Sequence, residues 1–245
     1  MIHLKRFKKR GAELANMYWV SFPVTNESLD AIVNGLDPRE DDRVLAVAGS
    51  GDQAFACLEN AGSVKAIDYS KPQLQLVNDR AEVLRMEDHE SFLSLGTESA
   101  DAVDRDLLLG LRDDYFLADS YRLRNISKKT DSLEIAYGDI FAEALGSSFS
   151  KIYLSNVIGF CGDESGSKLK GAPSFFRSLS ETLPSGGAVY IADGRAFFQD
   201  QEFYHLGPEK IDETLGLDGD LRYDHERSLS AKQYELCYDP IVLTR

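Results

Sequence analysis

Gly49-Ser50-Gly51 follows a short apolar run at 43–48, and Asp68 closes the next such run, 19 positions after Gly49. Backbone without a Cβ lets a ligand come close to the chain, and a helix starting just beyond it presents free N–H groups. An acid at the end of the following strand accepts hydrogen bonds from both hydroxyls of a ribose. Gly49, Ser50, Gly51 and Asp68 together imply an adenosine-containing ligand. A tight turn beside a solvated aspartate is the plainer alternative. Ala54 stands where the dinucleotide fingerprint has its third glycine, which argues against a pyrophosphate and for a ligand without phosphates.

Two further pairs sit at the ends of apolar runs. Gly138-Asp139 offers an acid that can receive an adenine amino group, or cap the helix that follows. Ser155-Asn156 places an amide, both donor and acceptor, where it can serve an ammonium or a carboxylate; turn capping is the alternative. Tyr69, next to Asp68, is expected in the same crevice. No residue stands out as a catalytic base; Tyr18, Tyr204 and His205 are the candidates by type alone. Glu87-Asp88-His89-Glu90 reads as helix-surface acids rather than a metal site. Cys57, Cys161 and Cys237 have neither disulfide nor zinc spacing, so no metal is expected and the setting is read as reducing and cytoplasmic.

The elements that must position these residues alternate. Strands are expected at 43–48, 64–68, 133–137, 151–155 and 188–192, with helices at 53–61, from Ser70 onward, at 140–145 and at 175–183. Short, nearly all-apolar strands are those of a parallel sheet covered on both faces. A closing strand at 233–244 reads as antiparallel. Residues 1–40 form a helical lead-in, with Leu29, Ile32, Val33 and Leu36 at helical spacing. Residues 86–129 form a helical insertion beyond what a crossover needs. Both are expected to fold over the crevice, with Tyr18, Trp19 and Phe22 as an aromatic lid or as packing.

The whole chain, 245 residues, is one α/β domain by length, and 43% hydrophobic residues exclude wholesale disorder. With 27 Lys and Arg against 41 Asp and Glu, the net charge of −14 argues against nucleic-acid binding. Lys5, Arg6, Lys8, Lys9 and Arg10 form a basic cluster able to touch an anionic membrane surface; a solvated tail is the alternative. No apolar run is long enough to span a membrane.

The order of elements resembles the class I S-adenosylmethionine-dependent methyltransferase fold, a Rossmann-like, mostly parallel seven-stranded sheet. In that resemblance 44–51 is the first motif, 66–70 the ribose-binding strand end, Gly138-Asp139 the adenine motif, and Leu183-Pro184-Ser185-Gly186-Gly187 the turn before the fifth strand. The acid that most methyltransferases carry two positions before the first glycine is replaced by Val47, so the methionine ammonium must be met from elsewhere.

Five blocks narrow the resemblance. They are Asn26-Glu27-Ser28, Ala48-Gly49-Ser50-Gly51-Asp52, Ala66 through Tyr69-Ser70-Lys71-Pro72-Gln73-Leu74, Glu90-Ser91-Phe92-Leu93-Ser94-Leu95-Gly96, and Tyr153-Leu154-Ser155-Asn156. In order, they are similar to blocks of the S-adenosylmethionine:diacylglycerol 3-amino-3-carboxypropyltransferases of betaine-lipid synthesis. The Trp-Glu-Asp of that family's N-terminal block is replaced around Thr25 to Glu27. The resemblance implies S-adenosylmethionine as donor, transfer of its aminocarboxypropyl arm to a small-molecule or lipid acceptor, and methylthioadenosine as product. A methyltransferase and a non-catalytic nucleoside-binding module are the other readings the same fold supports.

Overall fold

The computed structural model describes residues 21–99, 105–146, 148–160, 171–194, 207–217, 220–232 and 238–245. Seven strands, β1 (Arg43–Val47), β2 (Ser63–Asp68), β3 (Leu133–Tyr137), β4 (Lys151–Tyr153), β5 (Ala188–Ile191), β6 (Arg222–Tyr223) and β7 (Ile241–Thr244), join in one sheet. Their order is β3-β2-β1-β4-β5-β7-β6. The first five run parallel, and β7 is antiparallel to both β5 and β6. This is a Rossmann-like α/β fold with a mostly parallel seven-stranded sheet, as the alternation of elements led us to expect.

Side chains of a strand point alternately to the two faces, and β1 shows why both faces are covered. Val44 and Ala46 enter one apolar core and Leu45 the other, all three fully buried. The first core holds α1 (Leu29–Leu36), α2 (Asp52–Asn60) and α3 (Lys71–Arg85); the helices at Ile140–Gly146, Ala172–Thr182 and Pro208–Leu215 cover the second. Caps mark the helix starts. Ser28 accepts the Ala31 N–H, and Ser70 accepts the Gln73 N–H with Pro72 in the first turn, where its missing N–H costs nothing.

The insertion packs against the helices of the first layer. Its described helices, α4 (His89–Ser94), α5 (Arg105–Leu117) and α6 (Arg122–Lys129), pack on α1, α2 and α3. Phe92 meets both Phe55 of α2 and Phe116 of α5 edge-on at 5.2 Å. The apolar stripe of the insertion therefore thickens one helical layer. After β3 come α7 (Ile140–Gly146), α8 (Ala172–Thr182), α9 (Pro208–Leu215) and α10 (His225–Ser230). The strand β6 is too short to announce itself by alternation. The strand expected at 151–155 stops at Tyr153, because Ser155 takes a positive φ of 51°. The first part of the expected closing strand, 233–237, lies outside the described residues.

Candidate functional site

The sheet order reverses direction between β1 and β4, and a parallel sheet opens a crevice at its strand ends where that happens. The tips of β3, β2, β1 and β4 lie side by side here. They carry Asp139, Asp68 with Tyr69, the glycine loop, and Ser155 with Asn156 respectively.

The loop is built on two left-handed glycines. Gly49 has φ 47° and nothing within 4 Å of where a Cβ would stand; Gly51 has φ 87° and a Cβ there would meet Val77 Cγ2 at 2.9 Å. Gly51 caps α2, whose first N–H groups thus face the crevice end of the sheet. Asp68 braces the loop. Its Oδ2 accepts the Gly49 N–H at 3.1 Å and its Oδ1 accepts the Ser70 N–H at 2.8 Å. Each oxygen keeps a second acceptor site, so the carboxylate can still receive a ribose diol. Ser50 is different. Its hydroxyl is buried and donates to Asp52 Oδ2 at 2.9 Å, so its side chain locks the loop rather than facing the crevice.

Tyr69 is exposed and stands edge-on to Tyr137, with ring centroids 5.9 Å apart. Partial desolvation first, then its hydrogen bond with Asp139, raises the Tyr69 phenol above its ordinary range. Asp139 Oδ1 accepts the Phe141 N–H at 2.9 Å and so caps α7, and a carboxylate has lone pairs enough to accept a further donor. Asn156 is exposed in the turn after Ser155.

What the residue types did not announce is the segment before α1. Gln73 donates to both Gly49 O at 2.6 Å and Phe22 O at 2.9 Å, and accepts the Phe22 N–H. The Thr25 N–H reaches Asp52 Oδ2 at 2.9 Å. Arg80, fully buried, pairs with Asp52 at 3.0 Å and donates to the carbonyls of Ser50, Pro23 and Leu95. These bonds lay the segment from Phe22 to Glu27 against the glycine loop. Tyr18, Trp19 and the Lys5, Arg6, Lys8, Lys9 and Arg10 cluster lie outside the described residues, as do His3, Cys161, Tyr204, His205 and Cys237. Arg80 was legible in principle: it falls three residues after Val77, on the buried stripe of its helix.

Glu27 is the other residue that spacing missed. Its side chain is buried, and Oε1 accepts the Tyr153 hydroxyl at 2.6 Å and the Ser155 hydroxyl at 2.8 Å. Oε2 has no partner among the described residues. Burial pushes the carboxyl up to about 7; the two hydrogen bonds oppose this, and the negative charge of Asp193 adds to it. The same environment, burial first and Glu27 second, holds the Tyr153 phenol well above its ordinary value. Among the described residues no group of His, Cys, Asp and Glu could hold a metal ion, and no helix is long and apolar enough to cross a membrane. Cys57 is fully buried, which pushes its thiol up to about 12.

No protein-family model matches the chain, and no curated protein matches it. Solved structures do. The YcgJ protein from Bacillus subtilis is 14% identical with a TM-score of 0.39, covering 68% of this chain and 50% of its own. An S-adenosylmethionine-dependent methyltransferase from Thiobacillus denitrificans, in complex with S-adenosylhomocysteine, is 13% identical with a TM-score of 0.40, covering 74% and 53%. An RNA methyltransferase from Salinibacter ruber, also with S-adenosylhomocysteine, is 14% identical with a TM-score of 0.39, covering 88% and 86%. The chain thus spans about half the length of the first two.

Proposed function

We propose that this chain is an S-adenosylmethionine-dependent transferase that moves the 3-amino-3-carboxypropyl group to an acceptor and releases methylthioadenosine. The observation that carries the reading is the convergence of the sequence blocks. Asn26-Glu27-Ser28, the glycine loop, the Pro72-Gln73 block and Tyr153-Leu154-Ser155-Asn156 are remote in the chain. They are tied together at the strand ends by Glu27–Tyr153, Glu27–Ser155 and Gln73–Gly49 hydrogen bonds. That blocks resembling one transferase family are joined in this way supports the reading.

In this reading Asp68 holds the ribose hydroxyls, Asp139 receives the adenine amino group, and Gly49 and Gly51 let the nucleoside lie against the backbone. The acceptor attacks the γ-carbon. The Cγ–S bond breaks with its electron pair going to sulfur, and the new bond forms between Cγ and the acceptor oxygen or nitrogen. The sulfonium is already a good leaving group, so the chain's work is in-line positioning and removal of the acceptor proton. The acceptor in this proposal is a small molecule or a lipid. For a lipid, the basic cluster from Lys5 to Arg10 is the part that meets the anionic surface, and neutralising it would abolish vesicle sedimentation and turnover together.

Methyl transfer from the same donor is the second reading, favoured by the methyltransferase-like fold itself. Incubation with S-adenosylmethionine and a cell extract separates them. Methylthioadenosine supports the proposal, S-adenosylhomocysteine supports methyl transfer, and turnover to neither product leaves a nucleoside-binding module.

A further inference from the structure

We propose that the Glu27 carboxylate anchors the α-ammonium of the donor's amino-acid arm, an assignment that rests on the transferase reading above. The usual acid for that arm, two positions before the first glycine, is Val47 here. A positive group bound in the crevice needs a carboxylate from somewhere, and the structure supplies one by tertiary contact.

Its location fits the donor. Ala46 of β1 pairs with Tyr153 of β4, so the glycine loop and Ser155 flank the switch point directly. Glu27 Oε1 is held at that point by the Tyr153 and Ser155 hydroxyls. Asp68 lies one strand beyond β1 on the other side. Ribose site and Glu27 are thus two strand spacings apart, roughly 10 Å. A nucleoside on Asp68 whose arm extends across the glycine loop brings its far end to Glu27.

Its chemistry fits as well. A buried carboxylate oxygen with no hydrogen bond is costly, and native interiors rarely leave one without a reason. Oε2 is such an atom among the described residues. An ammonium carries three donors and a positive charge, which satisfies the oxygen and favours the ionised carboxylate at once. The groups facing Glu27 are the Tyr153 and Ser155 hydroxyls and the half-buried Asp193, whose negative charge also favours a cation there.

The test compares three ligands by titration calorimetry on the parent and on Glu27→Gln. S-adenosylmethionine and S-adenosylhomocysteine carry the ammonium; methylthioadenosine does not. The expected result is that the variant binds the first two roughly 10- to 100-fold more weakly, the loss of a charge-assisted hydrogen bond, and binds methylthioadenosine as the parent does. Equal weakening of all three would mean a structural role and overturn the assignment, as would no change. Because a buried substitution can impair folding, a second measurement uses the parent alone. At pH 6.5, in two buffers of different ionisation enthalpy, S-adenosylmethionine binding should release a proton from Glu27 and methylthioadenosine binding should not. Identical proton counts would overturn the assignment too. A parent that binds none of the three overturns the transferase reading itself, whereas a parent that binds all three beside an indifferent variant removes Glu27 alone.

Discussion

Arg80 and Asp52 meet at 3.0 Å with neither side chain exposed to solvent. The pair joins the middle of α3 to the start of α2, and the two terminal nitrogens of Arg80 also donate to the Pro23, Ser50 and Leu95 carbonyls. One guanidinium thus ties together the lead-in segment, the glycine loop and the turn after α4. Removing it leaves Asp52 buried and three carbonyls without a donor. Arg80→Ala should cost about 3–5 kcal/mol of unfolding free energy, the range for breaking a buried ion pair. Arg80→Lys should recover little of it, since a compact ammonium lacks the planar fork that reaches several acceptors. Urea titration of the two variants against the parent checks both.

The two glycines of the loop should respond differently to a methyl group. In Gly51→Ala the Cβ meets Val77 Cγ2 at 2.9 Å on a backbone with φ 87°. Steric clash and strain together should destabilise the protein by about 2–4 kcal/mol. Gly49→Ala has open space around the Cβ and only its φ of 47° to tolerate, which costs about 1–2 kcal/mol. Its methyl would instead stand where the proposed nucleoside lies against the loop. Gly49→Ala is therefore expected to lose more donor affinity than stability, and Gly51→Ala the reverse. Thermal melts and binding titrations on both variants would show the ordering.

Asp68 should behave as a nucleoside residue. Asp68→Ala is expected to weaken S-adenosylmethionine and methylthioadenosine alike by roughly 1.5–3 kcal/mol, the value of hydrogen bonds to a charged acceptor. Part of this loss comes through the loop, since Asp68 also accepts the Gly49 and Ser70 N–H groups. A variant that kept full affinity for methylthioadenosine would take Asp68 out of the ribose site.

Glu27 makes stability depend on pH. Its carboxyl sits at about 7 in the folded chain, raised from 4.5 first by burial. The folded state therefore holds a proton that the unfolded state has released between these values. The contribution of Glu27 is fully present below about pH 4.5 and is lost as pH rises through about 7, a change of order 3 kcal/mol. Melting temperature of the ligand-free protein should fall over that interval, and Glu27→Gln should flatten the slope. An unchanged slope in the variant would assign the pH dependence to other groups.

Much of the fold was written locally. The apolar runs at β1 and β2 are short, the two glycines stand where the chain must turn with positive φ, and Asp68 ends its strand. Each of these is a property of a few consecutive residues, so their type and spacing determined the parallel strands, the loop and the strand end proposed for the nucleoside. The tertiary structure alone decided the rest. Glu27 reaches Tyr153 and Ser155 across 126 and 128 residues of chain, and no local pattern marks such a pair. Periodicity likewise showed that the insertion had an apolar face but not what it would meet, and Phe55 and α3 turned out to be the answer. A hydrophobic stripe specifies burial without specifying a partner, and a buried polar group finds its partner only when distant segments pack. That is why the strand end proposed for the donor's nucleoside could be picked out from spacing, while the carboxylate proposed for its amino-acid end emerged only from the packed strand tips.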